Sequence, residues 1–163
     1  MNRGIRGLAL TVLSAACLVA ASVPAVAKGK DLFLGNWQFD AAKSTFTGRP
    51  AYQSAKVSIT AIKGGHKVSG DVVAADGQKI HYEYAGPSDG SSIAVTGAPM
   101  YDSASVLEPD KTTMVRTERR AGKVIGVTTA TVDKNGKSFT ATSRGTAPDG
   151  KQYTVVSTWN KVK

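Results

Sequence analysis

From residue 54 onward the chain is broken at a steady interval by short turn signals, and this spacing constrains the fold more than any other feature. The signals are Gly64-Gly65, Asp76-Gly77, Asp89-Gly90, Asp110-Lys111, Gly122, Asn135-Gly136 and Asp149-Gly150. Asn-Gly and Asp-Gly supply the positive φ angles that tight hairpin turns require. Most of the signals stand about 12 to 14 residues apart, the length of one strand plus one turn. The one gap of double length is interrupted by Gly97-Ala98-Pro99.

Between the turns the residues are β-branched or aromatic, and they alternate. Val57, Ile59 and Ala61 oppose Lys56, Ser58 and Thr60; Ile80, Tyr82 and Tyr84 oppose His81 and Glu83. Tyr153, Val155, Ser157 and Trp159 oppose Gln152, Thr154, Val156 and Thr158. A period of two is the signature of strands with two different faces. It predicts about ten strands, over 33–39, 54–62, 66–74, 78–85, 91–96, 103–108, 112–120, 123–133, 137–145 and 151–161. Asp40 to Phe46 is expected to form one or two helical turns with Asp40 as N-cap, ended by Pro50.

Successive strands joined by short hairpins form a meander. An open meander of this length leaves two long edges that invite aggregation, and closure into a barrel removes them. A two-sheet sandwich normally needs longer crossovers than these turns provide. The expected fold is therefore all-β, an up-and-down antiparallel β-barrel of about 8 to 10 strands. Thr and Ser occupy both faces of several strands, as in residues 138–146, which fits a hollow and partly polar interior better than a solid core.

The first 27 residues read as a secretory signal. Arg3 and Arg6 open it, Leu8 to Val19 is almost unbroken apolar chain, and Ala25-Val26-Ala27 offers a small-x-small cleavage site. A retained anchor and a lipoprotein signal at Cys17 are the alternatives. Against the second, Ser14 stands where a branched apolar residue is expected. Cleavage after Ala27 leaves a single domain, 28–163, in the periplasm or outside the cell. It also removes Cys17, the chain's single cysteine, so neither a disulfide nor a thiolate site is expected. The whole chain carries a formal charge of +9, and without Arg3 and Arg6 it is +7. These charges are scattered. The nearest approach to a cluster is Arg116, Arg119, Arg120 and Lys123, without the stacking aromatics of a nucleic-acid surface. No nucleic-acid partner is expected. Charges on both faces of 112–120, and the lack of a second long apolar run, argue against a membrane span or a transmembrane barrel.

Phe33-Leu34-Gly35-Asn36-Trp37 resembles the F-x-G-x-W opening of fatty-acid-binding proteins and the G-x-W of lipocalins. In that pattern Gly35 lets the chain bend into the first strand and Trp37 plugs one end of the barrel. Over nearly all of 28–163 the chain is similar to small exported bacterial proteins described as lipocalin-like. The resemblance rests on Gly35-Asn36-Trp37, on Ala42-Lys43-Ser44-Thr45-Phe46, and on the Asn135-Gly136-Lys137 and Asp149-Gly150-Lys151 hairpins. Most members of that group have no established function. The chain departs from fatty-acid-binding proteins in two ways. Asp40 to Gln53 is too short for their helical lid, and Val156 to Asn160 lacks the arginine and tyrosine that hold a carboxylate. The Thr-Asp-Tyr motif of classical lipocalins is also missing.

Candidate chemistry is sparse. His66, in a turn, and His81, on a strand with Glu83, are read as surface residues, and no metal site is expected. An acid–base pair of His81 and Glu83 would be the core of an isomerase or hydrolase, but no nucleophile, phosphate loop or G-x-S-x-G elbow accompanies it. No catalytic residue and no cofactor are expected. Tyr82, Tyr84, Met114, Tyr153 and Trp159 are the candidates to line a cavity for a small apolar or amphipathic molecule. Arg116 alternates with Met114. It points either to solvent or inward, where it requires an anionic ligand or a paired carboxylate. The expectation is a monomeric binding protein. The alternative is an envelope factor or inhibitor that binds protein partners through its loops.

Overall fold

The computed structural model describes residues 31–163; the segment read as a signal, with Cys17 and Ala27, lies outside the described residues. Ten antiparallel strands close into one up-and-down barrel: β1 (Gly35–Thr47), β2 (Ser54–Ile62), β3 (Gly65–Val73), β4 (Lys79–Pro87), β5 (Asp89–Thr96), β6 (Ser103–Leu107), β7 (Thr113–Arg120), β8 (Lys123–Val132), β9 (Ser138–Thr146) and β10 (Gln152–Val162). Each pairs with its neighbours in sequence, and β1 closes the ring on β10. Glycine with positive φ stands at Gly64, Gly77, Gly90, Gly122, Gly136 and Gly150, which are the turns marked in the sequence. At several hairpins an aspartate completes the turn by accepting the amide N–H two residues on, as Asp76 does from Gln78 and Asp149 from Lys151.

Asp40 to Phe46 is strand, not helix. Pairing with β10 slips between Asp40 and Thr45, so that Asp40 faces Thr158 while Thr45 faces Val156. Side chains satisfy the backbone of this bulge. The Thr158 amide donates to Ser44 Oγ at 3.0 Å, Ser44 Oγ donates to the Asp40 carbonyl at 2.6 Å, and Thr158 Oγ1 donates to the Lys43 carbonyl. Asp40 takes a hydrogen bond from the Asn160 amide instead of capping a helix, and this bond holds its carboxyl below the usual range.

One end of the barrel is closed. Trp37 is fully buried, edge-on to Phe139 at 4.7 Å, and its indole N–H donates to the Phe33 carbonyl at 2.8 Å. Phe139 stacks on Trp159, and Phe33 covers Phe139 from the N-terminal side. Gly35 begins β1 at φ +128°, a conformation side-chain-bearing residues avoid, and this turn carries Trp37 over the opening. Lys161 lies across the outside of the plug. Its ammonium sits 4.5 Å from the Trp37 ring and donates to the Leu32 and Leu34 carbonyls.

The same end holds a correction to the sequence reading. His66 is buried, 5 % exposed, and not a surface residue. Its Nε2 meets Asp31 Oδ2 at 2.6 Å, and its Nδ1 meets Ser88 Oγ at 3.1 Å. Glu108 Oε1 lies 2.9 Å from the same Nδ1 without forming a hydrogen bond there, and it accepts none elsewhere among the described residues. The three residues offer donor atoms within 4.8 Å of one another. Each ring nitrogen of His66 faces an acid, Asp31 at Nε2 and Glu108 at Nδ1. The arrangement acts as a latch that ties the N-terminal segment to the links before β5 and β7.

Candidate functional site

Above the aromatic plug the barrel is hollow, with a cavity of about 200 Å³. Strand alternation gives it two unlike walls. From β2, β3 and β4 come Val57, Ile59, Val68, Val72 and Ile80, which make an apolar side. From β7 to β10 come Arg116, Glu118, Thr128, Ser143 and Ser157, with Tyr153 at the upper end. Met114, Ala130, Phe139 and Trp159 floor the space toward the plug.

The six residues expected to line a cavity, Tyr82, Tyr84, Met114, Arg116, Tyr153 and Trp159, are all on its wall. Gly35 and Trp37 are not; they belong to the closure beneath. His81 and Glu83 lie on the outer face of β4, alternating with the inward Tyr82 and Tyr84. His81 Nδ1–H donates to Asp71 Oδ1 at 2.8 Å, a bond that raises its pKa, and Glu83 pairs with Lys67 at 3.6 Å. That pair is a surface ion network turned away from the cavity.

Arg116 points inward and finds its partner two residues along the same face. Its Nε donates to Glu118 Oε1 at 3.0 Å, and its Nη2 donates to the same oxygen. Thr128 Oγ1 is 3.5 Å from that oxygen and 2.8 Å from Ser143 Oγ, so a polar chain runs across β7, β8 and β9. The Arg116 guanidinium also lies 5.7 Å over the Tyr101 ring. Burial works against its charge, but Tyr101 and Glu118 beside it raise its pKa above the usual guanidinium range.

Two glycines make room for this polar wall. Gly126 on β8 and Gly145 on β9 are register partners, flanked by Glu118 on β7 and Tyr153 on β10. A Cβ on Gly126 would stand 2.8 Å from the Tyr153 hydroxyl and 3.0 Å from Glu118 Oε2. Gly70 serves Tyr82 in the same way, since its missing side chain is the space the Tyr82 ring fills.

Loops close the other end, and sequence alternation says nothing about them. The β1–β2 link brings Arg49 and Tyr52; Arg49 lies between the Tyr52 and Tyr153 rings, 5.2 Å from each. The β5–β6 link brings Met100 and Tyr101. It is anchored by Arg120, which donates to the Pro99 carbonyl, and by the Ala121 amide, which donates to Asp102 Oδ2. With Tyr52 and Tyr101 added, all five tyrosines of the chain line one cavity.

Their environment has a measurable consequence. Burial pushes the Tyr82 phenol up to about 12, and burial likewise raises Tyr101 and Tyr153. A phenol whose pKa is higher in the folded state adds stability below its unfolded value of about 10, and this contribution is lost as pH climbs through the folded value. Titration at the phenolate absorbance band is therefore expected to show fewer than five tyrosines ionising near pH ~10, with the rest ionising only as the barrel opens. Denaturant midpoints should fall over the same range. Five tyrosines ionising together near pH ~10 in a folded protein would rule this out.

No protein-family model matches the chain, and no curated protein sequence matches it. Among solved structures it is similar to the zebrafish ileal bile acid-binding protein crystallised with cholic acid. The match has 11% identity, spans 80% of this chain and 99% of that chain, and has a TM-score of 0.47.

Proposed function

We propose that this chain is an exported binding protein that holds a small apolar or amphipathic molecule inside its barrel. One observation carries the reading: the barrel interior is a cavity, with apolar side chains of β2–β4 facing hydroxyls and an ion pair on β7–β10, and five tyrosines distributed around it. A barrel built only for stability gains more by filling its centre with side chains at crystal-like density. An apolar space with a few convergent polar groups is the form that small-molecule sites take. Burial of the ligand's apolar body against β2–β4 would supply the affinity, and the β7–β10 side would fix its orientation. The segment 1–27 supports action outside the cytoplasm, in the periplasm or beyond.

The direct test is native mass spectrometry of the mature protein, taken gently from an envelope extract and again after organic extraction. A discrete extra mass that disappears on extraction supports the cavity. A clean mass with no gain from an envelope lipid mixture favours the alternative, a protein-interaction barrel acting through its loops. A variant makes the test local. Gly126→Ala inserts a methyl group against the Tyr153 hydroxyl and Glu118 without touching the plug. It is expected to weaken binding of the neutral fluorophore N-phenyl-1-naphthylamine about fivefold, with unfolding free energy changed by less than about 1 kcal/mol. Unaltered fluorophore binding by this variant would remove the cavity as the site.

A further inference from the structure

The cavity wall also bears on what kind of head group the ligand carries. Among the described residues, three charged side chains line the space: Arg49, Arg116 and Glu118. Arg116 directs two N–H groups at one oxygen of Glu118, so its charge is already matched within the protein. A ligand carboxylate could reach it only by displacing Glu118 or by crowding a second anion around the same guanidinium, and both are costly away from water.

Glu118 itself is half-used. Oε1 receives Arg116 and Thr128, whereas Oε2 accepts no hydrogen bond among the described residues. That oxygen faces the space left by Gly126, beside the Tyr153 hydroxyl. A carboxylate oxygen in this position calls for a donor. An alcohol supplies one. A ligand carboxylate has none and adds like charge. Arg49, the remaining cation, is half-buried at the mouth and already lies against two tyrosine rings.

We infer that the cavity selects neutral apolar molecules bearing a hydroxyl donor and discriminates against carboxylates of the same size. The donor would meet Glu118 Oε2, the oxygen of the hydroxyl would face Tyr153 or the Ser143–Thr128 pair, and the apolar body would lie against β2–β4. This rests on the cavity being the binding site, and the test separates the two claims.

Displacement of bound N-phenyl-1-naphthylamine is measured with 1-dodecanol, methyl dodecanoate and dodecanoate, which share an apolar tail. The alcohol is expected to compete at about fivefold lower concentration than the ester, which lacks a donor, and at least about tenfold lower than the acid. Glu118→Gln should shift the acid-to-alcohol ratio toward the acid by about tenfold, because Arg116 is left with an unmatched charge. The variant ratio is the deciding number, since it cancels the ligands' different solubilities. If that variant does not fold, Arg116→Met with Glu118→Leu should abolish the alcohol-over-ester preference. Equal competition by alcohol and ester, or a ratio unmoved by Glu118→Gln, overturns the selectivity. If Arg49→Gln alone removed dodecanoate binding, an anionic head at the mouth would replace it. Failure of the fluorophore and all three ligands to bind the wild-type protein would overturn the cavity reading itself.

Discussion

Trp37→Ala is expected to destabilise the barrel by about 3–5 kcal/mol, the largest loss from any single aromatic truncation in the chain. The side chain is fully enclosed, with an exposure of 0 %, and it packs edge-on against Phe139. Phe139 in turn stacks on Trp159 and touches Phe33, so one truncation loosens the three other rings at once. The indole N–H also holds the Phe33 carbonyl, which ties the segment before β1 to the closure. Trp37→Phe separates these contributions. It keeps most of the ring volume but leaves the carbonyl without its donor, and about 1–3 kcal/mol should be lost. Urea unfolding of the three proteins at constant m value provides the comparison. A loss below about 1 kcal/mol for the alanine variant would mean that the end of the barrel is not closed by this residue.

What could be read in advance divides along a physical line. Strands and turns follow from local chemistry, because a hairpin needs a residue that tolerates positive φ and a half-buried strand needs alternation. Both are visible within a dozen residues, at Asp76-Gly77 and at Tyr82 and Tyr84 for example. The errors come from partners far away in the chain. Asp40 to Phe46 extends because Ser44 accepts the amide of Thr158, 114 residues away, and Thr158 in turn donates to the Lys43 carbonyl. A turn position made His66 look exposed, yet Asp31 and Glu108 approach it from the N-terminal segment and the β6–β7 link. Tyr52, Tyr101 and Arg49 reach the cavity from loops, where no periodicity assigns a face. Arg116 is the instructive middle case. Its inward direction required an anionic ligand or a paired carboxylate, and Glu118, two residues on and therefore on the same face, stood in the sequence within reach.

Glu118→Ala is expected to cost about 3 kcal/mol, because it leaves the Arg116 guanidinium inside the barrel facing only the Tyr101 ring and hydroxyls. The side chains of the pair retain exposures of 21 % and 9 %, so water in the cavity softens the penalty and the lower end of the range for broken buried pairs applies. Arg116→Met alone should cost a similar amount, since it strands the carboxylate with Thr128. Arg116→Met combined with Glu118→Leu behaves differently. It replaces both charges with apolar groups of similar size, and it should match the wild-type stability or exceed it by about 1–2 kcal/mol. The cycle then yields a coupling of several kcal/mol from two individually damaging changes, read from denaturant midpoints. The sign of the double variant discriminates between two roles for the pair. If the double variant is less stable than wild type by about as much as either single variant, the pair itself contributes to folding along β7. If it is as stable or more so, the barrel carries an ion pair that folding does not need, and the reason for it lies in what Glu118 and Arg116 present to the cavity.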